Sequence, residues 1–397
     1  MILRRKLTNG INVIMEKRNL GIVSFCIANK FGAIFEDDKI KGISHFIEHL
    51  VFTGTKTRSH EDISREIEKK GGILNAFTAN EVTSFYFKLP SEHLFSGLNI
   101  LSDMLNNPVF EREKFEKEKK VILEEIKMYH DVPQYHLEPL LVSSLYEKPF
   151  GSWIIGNKES VSSLDRDFVV SYFNENYNPE NYFVIIVGEG DFDKICTYLE
   201  TNFSKKKSKS REVSIKKINK EVVEERAGID QAHFAFGIHA PLPSEKDFYA
   251  LKVLDAYLAN GMSSRLFLEI REKRGLAYSV KSSYEFEKNY AYYSINVGTK
   301  KEAVQEVKEI ILSEFNNIDQ MSEKDFKEAQ EKVIGLRRIS SEESSSVMES
   351  LIWWENSVGA EEYYKFEDKI RKVKLEQVKK LAKDIIKRYS TASIIPK

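Results

Sequence analysis

The sequence has little cysteine, no marked excess of charge of either sign and no long apolar run. Only Cys26 and Cys196 occur in 397 residues, each within an apolar stretch, so a disulfide framework is excluded and a reducing, cytoplasmic location is expected. The 60 Lys and Arg residues nearly cancel the 61 Asp and Glu residues, which argues against a nucleic-acid partner. No segment is apolar enough to span a bilayer and the N-terminus has no targeting pattern, so no membrane association is expected.

The length predicts at least two domains, and an internal repeat indicates how they are related. Residues 67–76 align without a gap with residues 270–279, an offset of 270 − 67 = 203, close to half the chain. Both copies have the pattern of a helix end, a glycine stop and a strand. The segment 204–211 has no apolar residue and is typical of a solvated linker. We therefore predict domains at 1–204 and 214–397, joined by a linker at 205–213.

Periodicity predicts the same alternation of strands and helices in both halves. In the first half, Ser59 and Asp62 form a capping-box pattern that predicts a helix start. Strands are predicted at 11–15, 21–28, 73–77, 82–89, 182–188, 232–240, 276–283 and 290–297. Helices are predicted at 91–106, 111–130, 168–177, 191–203, 248–259, 263–274 and 302–318, and from 323 onward. The predicted fold class is α+β: two homologous α/β-sandwich domains, each a mostly antiparallel sheet covered by helices, related by internal duplication.

One short motif carries chemistry: His45-Phe46-Ile47-Glu48-His49. On a helix, His45 and His49 project from one face a turn apart and can share one metal ion. Glu48 can then stand beside the metal without binding it. Two imidazoles and a nearby carboxylate are the parts needed to hold Zn²⁺ and to deprotonate a water molecule.

A catalytic zinc site needs a third protein ligand, and the predicted helix at 111–130 offers several carboxylates. At about 100° per residue, Glu118 and Glu125 fall within its apolar stripe of Phe115, Val121, Ile122, Ile126, Met128 and Tyr129. Glu124 falls at the edge of that stripe and Glu116 on the far side. A carboxylate aimed into a core is costly unless a cation or hydrogen bonds meet it. Either Glu118 or Glu125 could complete the site; the alternative is an amphipathic helix whose glutamates reach solvent.

Beyond these residues, the sequence resembles the inverzincin peptidases, the family of pitrilysin, insulin-degrading enzyme and the mitochondrial processing peptidase. The resemblance covers nearly the whole chain and includes four motifs: 45–49, 71–78, 118–125 and 264–280. It implies that His45, His49 and Glu125 bind one Zn²⁺ per chain. It also implies that Glu48 is the general base and that Glu118 is the second acidic position.

The resemblance further implies that Asn75, Ala76 and Phe77 lie on an edge strand to which substrate adds as a β-strand. Arg271 and Tyr278 match a pair that reaches the substrate from the second half of the chain. The alternatives are an ordinary sheet edge for the first group, and a surface arginine and a sheet aromatic for the second.

The predicted function is that of a zinc metalloendopeptidase acting on short or unfolded polypeptides in an enclosed chamber. The two-domain size resembles short bacterial members in which two chains face each other. The presence of both the zinc set and the Arg271–Tyr278 pair in one chain favours a homodimer over a heterodimer with an inactive homologue. One alternative is a non-catalytic scaffold or assembly subunit of the same fold, although no ligand or base is missing here. Another is a structural zinc, which usually takes four protein ligands.

Overall fold

A computed structural model describes residues 2–205 and 213–397. Most of the predicted linker, 206–212, therefore lies outside the described residues. Two compact units form: unit 1 comprises Met1–Lys127, Trp153–Val213 and Ser340–Tyr363, and unit 2 comprises Met128–Ser152, Ser214–Ile339 and Tyr364–Lys397. The boundary predicted at 205–213 divides the chain only once. In the structure, residues 128–152 of the first half belong to unit 2 and residues 340–363 of the second half belong to unit 1; we call these the exchanged segments.

The described residues form eleven strands and sixteen α-helices. The strands are β1 Ile2–Lys6, β2 Asn12–Lys17, β3 Ile22–Asn29, β4 Ile73–Thr78, β5 Thr83–Pro90, β6 Tyr182–Gly188, β7 Glu221–Arg226, β8 Ala232–His239, β9 Ala277–Phe286, β10 Ala291–Thr299 and β11 Tyr389–Pro396. The helices are α1 Ile43–Val51, α2 His60–Glu68, α3 Leu94–Asn106, α4 Arg112–Asp131, α5 Pro133–Leu145, α6 Lys158–Ser163, α7 Arg166–Asn176, α8 Phe192–Asn202, α9 Phe248–Leu258, α10 Arg265–Phe267, α11 Val304–Asn316, α12 Glu323–Ser340, α13 Ser344–Ser357, α14 Glu361–Tyr364, α15 Phe366–Lys372 and α16 Leu375–Ile385.

The two sheets have matching topology, which confirms the predicted fold class and duplication. The sheet of unit 1 has the order β1-β2-β6-β3-β5-β4, and that of unit 2 has the order β7-β11-β8-β10-β9. In each sheet one neighbouring pair is parallel, β2 with β6 and β7 with β11, and the other pairs are antiparallel. Within residues 2–205 and 213–397, the second sheet thus repeats the first without a strand corresponding to β1.

The exchanged segments each cover one face of a sheet. In unit 1, α13 packs on β3 and β6, and the hydroxyls of Ser24 and Ser344 lie 2.9 Å apart. In unit 2, α5 packs on β8 and β11, and a Cβ at Gly237 would lie 2.8 Å from the side chain of Leu141. Because helices cover both faces, all residues of β6 are buried, as is typical of a central strand.

The two cysteines agree with the prediction from composition that no disulfide framework forms. Cys26 and Cys196 are both free and buried. Among the described residues, none of the helices combines the length and the apolar character that crossing a membrane requires.

Candidate metal centre

Helix α1, which carries the histidine motif, begins at a tightly specified backbone position. Gly42 has a φ of +96°, and a Cβ there would lie 2.6 Å from the carbonyl oxygen of Ile155. Only glycine fits such a position without strain. The carboxylate of Glu36 then accepts hydrogen bonds from the backbone N–H groups of Gly42 and Ser44, at 2.9 and 2.8 Å. A carboxylate at a helix N-terminus satisfies otherwise unpaired donors, so Glu36 fixes where α1 starts.

The structure brings His45, His49 and Glu125 together within unit 1. Oε2 of Glu125 lies 3.8 Å from Nε2 of His45 and 3.6 Å from Nε2 of His49. Ligand atoms about 2.0 Å from a tetrahedral zinc ion lie about 3.3 Å from one another, so small side-chain movements suffice to hold one. Within residues 2–205 and 213–397, Oε2 of Glu125 is buried and has no hydrogen-bond partner. A buried carboxylate oxygen facing two imidazoles fits a bound cation.

Helix α4 directs its carboxylates as the apolar stripe predicts. The side chains of Glu118 and Glu125 are each 22% exposed. Those of Glu124 and Glu116 are 72% and 58% exposed. The two sequence candidates for the third ligand therefore both face inward, and they occupy different places. Oε2 of Glu125 is near the Nε2 atoms of both histidines, whereas Oε2 of Glu118 lies 3.4 Å from Nδ1 of His49.

Glu118 therefore contacts a different nitrogen of His49 from the one that Glu125 faces. When a carboxylate accepts a hydrogen bond from Nδ1–H of His49, the lone pair of that ring is on Nε2, the nitrogen that faces Glu125. Carboxylates in this position orient metal-binding histidines and raise their basicity. The geometry therefore distinguishes Glu118 from Glu125, which the stripe alone could not do.

Electrostatics among these side chains favours the uncharged forms of His45 and Glu125 but the charged form of His49. Burial lowers the pKa of His45 to about 3, and the charge of His49 adds to this. Burial raises the pKa of Glu125. For His49, burial lowers the pKa, but the hydrogen bond with Glu118 and the charges of Glu125 and Glu48 outweigh it and the pKa is raised. A cation bound beside Glu125 would oppose this shift and favour the carboxylate.

Glu48 lies next to this cluster, and its carboxylate is hydrogen-bonded by a residue for which the sequence predicts no role. Thr78, the last residue of β4, donates its hydroxyl to Oε2 of Glu48 at 2.5 Å. Burial raises the pKa of Glu48, although this hydrogen bond and the charge of His49 oppose the shift. A raised pKa brings a carboxylate closer to the range useful for proton transfer near neutral pH.

Strand β4 occupies the end of its sheet and lies against α1. Within the part of the chain that the structure describes, β5 is its only strand neighbour. The predicted substrate-binding residues Asn75, Ala76 and Phe77 are therefore on an edge strand, as expected. The backbone N–H of Ala76 donates to Oδ1 of Asn75 at 2.8 Å. The ring of Phe77 lies 5.3 Å from that of Trp353, which belongs to the same unit.

Arg271 and Tyr278 form a separate cluster in unit 2. The guanidinium carbon of Arg271 lies 4.9 Å from the ring centre of Phe267 and 4.8 Å from that of Tyr278, which is 80% exposed. Both residues line a cavity of about 400 Å³. The helix predicted at 263–274 is interrupted here, because α10 ends at Phe267 and residues Leu268–Glu272 form a π-helix turn. Such turns are frequent at functional sites.

Comparisons with known proteins place this arrangement in a family. The family described as Insulinase (Peptidase family M16) matches residues 13–158, and the one described as Peptidase M16 inactive domain matches residues 163–333. An uncharacterized zinc protease of Bacillus subtilis, YmxG, is 31% identical over 354 residues, which cover 88% of this chain and 86% of that protein. An uncharacterized zinc protease of Mycobacterium leprae is 31% identical over 412 residues, covering 100% and 92% of the two chains.

Solved structures show the same fold at lower identity. A protease from Helicobacter pylori superimposes with a TM-score of 0.92 at 20% identity, covering 100% of this chain and 99% of that one. A peptidase M16 inactive domain from Pseudomonas fluorescens gives a TM-score of 0.90 at 15% identity, with coverage of 100% and 98%. The peptidase family matches and the names of the relatives, which are zinc proteases, agree with a metal-binding role for the histidine cluster described above. The chain belongs to peptidase family M16.

Proposed function

We propose that the protein is a zinc-dependent metalloendopeptidase that hydrolyses peptide bonds in short or unfolded polypeptides. The observation that carries the proposal is the buried Oε2 atom of Glu125, which faces two imidazole nitrogens beside the carboxylate of Glu48. The names of the relatives, which are zinc proteases, support zinc as the metal. His45, His49 and Glu125 would hold one ion per chain.

Each residue of the site has a task in this mechanism. Zinc bound here would lower the pKa of water towards neutrality and polarise the scissile carbonyl. Glu48 takes the proton of the attacking water and passes it to the leaving amine. Its Oε2 accepts the Thr78 hydrogen bond, so we assign the proton transfer to Oε1. Glu118 holds the ring of His49 in the tautomer that leaves Nε2 available.

Substrate recognition is assigned to the edge of β4. A peptide that adds there as a strand is bound through its backbone, so side-chain specificity is expected to be loose and folded proteins are expected to be poor substrates. A substrate carbonyl at Ala76 would replace the bond that Asn75 now accepts. We assign to Tyr278 and Arg271 the hydrogen bonding of substrate or developing oxyanion.

The assembly and the location are proposals carried over from the sequence. A homodimer enclosing a chamber is preferred to a heterodimer with an inactive homologue, because one chain contains both the zinc cluster and the Arg271–Tyr278 pair. A cytoplasmic location agrees with two free, buried cysteines. A scaffold role is less favoured: the segment that matches the inactive domain is 163–333, whereas the histidine cluster lies within 13–158.

An assay with an unstructured peptide tests the activity itself. We expect the purified protein to cleave the peptide, to lose this activity in a strong chelator and to regain it when zinc is returned. The reason is that His45, His49 and Glu125 hold the metal ion that the reaction needs. A stably folded protein containing the same peptide sequence is the control and should be cleaved slowly. Unchanged cleavage in the apoprotein would rule out the metallopeptidase mechanism.

Thr78 offers a test of how Glu48 is positioned. Thr78→Val keeps the shape of the side chain but removes the hydrogen-bond donor to Oε2 of Glu48. We therefore expect kcat to fall about 10-fold while the zinc content is unchanged; a loss of this size is found for groups that orient the residues of a metal site. Thr78→Ser retains the hydroxyl and should stay close to wild type. Measurement of kcat and of bound zinc in both variants separates an effect on Glu48 from a loss of metal. A fully active Thr78→Val protein would show that the hydrogen bond has no role in positioning Glu48.

A further inference from the structure

Unit 2 contains a second cluster of metal-binding side chains, formed by His130, His136 and Glu224. One ligand atom from each lies within 4.8 Å of the others. Nε2 of His136 is 3.0 Å from Oε2 of Glu224, and the rings of His130 and His136 are 4.7 Å apart between centres. We propose that these residues form a second metal site, distinct from the α1–α4 cluster, that binds a divalent transition metal such as Zn²⁺.

The junction between α4 and α5 places the two histidines side by side. His130 is in the last turn of α4, and Pro133 starts α5, where a proline is favoured because its missing N–H is not needed. The carbonyl of Val132 accepts backbone bonds from Tyr135 and His136, at 3.0 and 3.1 Å. The chain therefore turns tightly between the two rings, and their approach is a property of the backbone.

Glu224 is oriented towards the histidines by a neighbour on its own strand. Arg226 donates from Nε to Oε1 of Glu224 at 2.9 Å, and from Nη1 to the carbonyl oxygen of His130. Oε2 is thereby left facing His136. Groups that fix a ligand in this way are typical of the surroundings of metal sites. Arg226 also ties the end of α4 to β7, so one residue contacts both Glu224 and the backbone of His130.

The chemistry of the three groups fits a borderline metal. Imidazole nitrogen and carboxylate oxygen suit zinc, nickel and copper better than calcium or magnesium. Burial lowers the pKa of His136, against the opposing charge of Glu224, which favours the neutral ring that a metal requires. A lone hydrogen-bonded His136–Glu224 pair would account for two of these residues but not for the nearby ring of His130.

Differences from the first cluster indicate weaker binding and a structural effect. The side chain of His130 is 56% exposed, and the positive charge of Arg226 lies next to the carboxylate. A metal held here would join the α4–α5 junction to β7, which is at the end of the unit 2 sheet. Binding to the folded form alone stabilises it, so the expected effect is on the stability of unit 2.

Metal stoichiometry in the full chain tests the proposal. In equilibrium dialysis against excess zinc, with the free zinc subtracted, we expect about two bound zinc ions per wild-type chain and about one in His130→Gln, because each site loses its ion when a ligand is lost. The double variant His45→Gln/His49→Gln should also retain about one, which keeps this result independent of the proposed peptidase function. His93→Gln is the control on a histidine outside both clusters.

A second measurement covers variants that fold poorly. In the His45→Gln/His49→Gln background, zinc should raise the Tm, and adding Glu224→Gln or the exposed His130→Gln should remove that increase. Co²⁺ bound in the same background should give visible absorption bands that the third substitution abolishes. The proposal is overturned if saturated wild type holds one zinc ion and the His45→Gln/His49→Gln variant none, or if His130→Gln still holds two.

Discussion

Replacing Glu48 with glutamine is expected to abolish peptide hydrolysis and leave zinc binding unchanged. The amide has the volume of the carboxylate and its oxygen can still accept the Thr78 hydrogen bond, but it cannot take a proton. Loss of a general base typically costs 10²–10⁴-fold, so we expect kcat to fall by about this factor. The measurement is kcat on an unstructured peptide together with metal analysis of the same sample.

A glutamate outside the site provides the matched control for Glu48. Glu61 lies in the first turn of α2 and is exposed, so Glu61→Gln should retain wild-type activity and zinc content. Wild-type activity in Glu48→Gln would refute the assignment of the base. Loss of zinc from Glu48→Gln would instead show that this carboxylate is a ligand.

Replacing Glu125 with glutamine is expected to remove most of the zinc and, with it, most of the activity. A neutral amide is a poor zinc ligand, and this position is near the Nε2 atoms of both His45 and His49. Activity should return in part at high zinc concentration, because the histidines remain. Zinc affinity measured by competition with a chelator, beside kcat at saturating zinc, separates lost binding from damaged chemistry.

Helix α4 supplies two further glutamates that calibrate this result. Glu118→Gln should weaken zinc binding by about 10–100-fold, since it removes the carboxylate that orients His49. Glu124→Gln should change neither zinc nor activity, because that side chain is exposed and pairs with Lys127. Full zinc retention in Glu125→Gln, together with loss in Glu118→Gln, would reverse the assignment of ligand and orienting group.

Local periodicity predicted the parts of the site that depend on one helix. The 3.6-residue repeat correctly turned Glu118 and Glu125 inward and Glu116 outward, and it placed Glu124, which is exposed, at the edge of the stripe. The same stripe wrongly included Val121 and Met128, which are exposed. Isolated exposed apolar residues are common on protein surfaces, so apolar character alone defines the edges of a buried face poorly.

Contacts between distant segments were not predictable from such patterns. Strand β11 was missed because Ser390, Thr391 and Ser393 interrupt its apolar run, although all three are buried in the sheet. Helix α5 was missed together with the segment exchange, since which helix covers which sheet is decided by tertiary packing. The bonds from Thr78 to Glu48 and from Glu36 to the start of α1 also join separate elements and leave no local signal.

The open edge of β4 has a consequence for how the protein behaves at high concentration. An unpaired strand edge can pair with the same edge of another molecule, which is a common route to aggregation. The side chain of Asn75 already occupies the N–H of Ala76, so an incoming strand must displace it before pairing. The Asn75 side chain therefore reduces non-specific pairing between β4 edges of different molecules. A substrate strand that binds this edge must also break the same hydrogen bond, which costs a small amount of binding free energy.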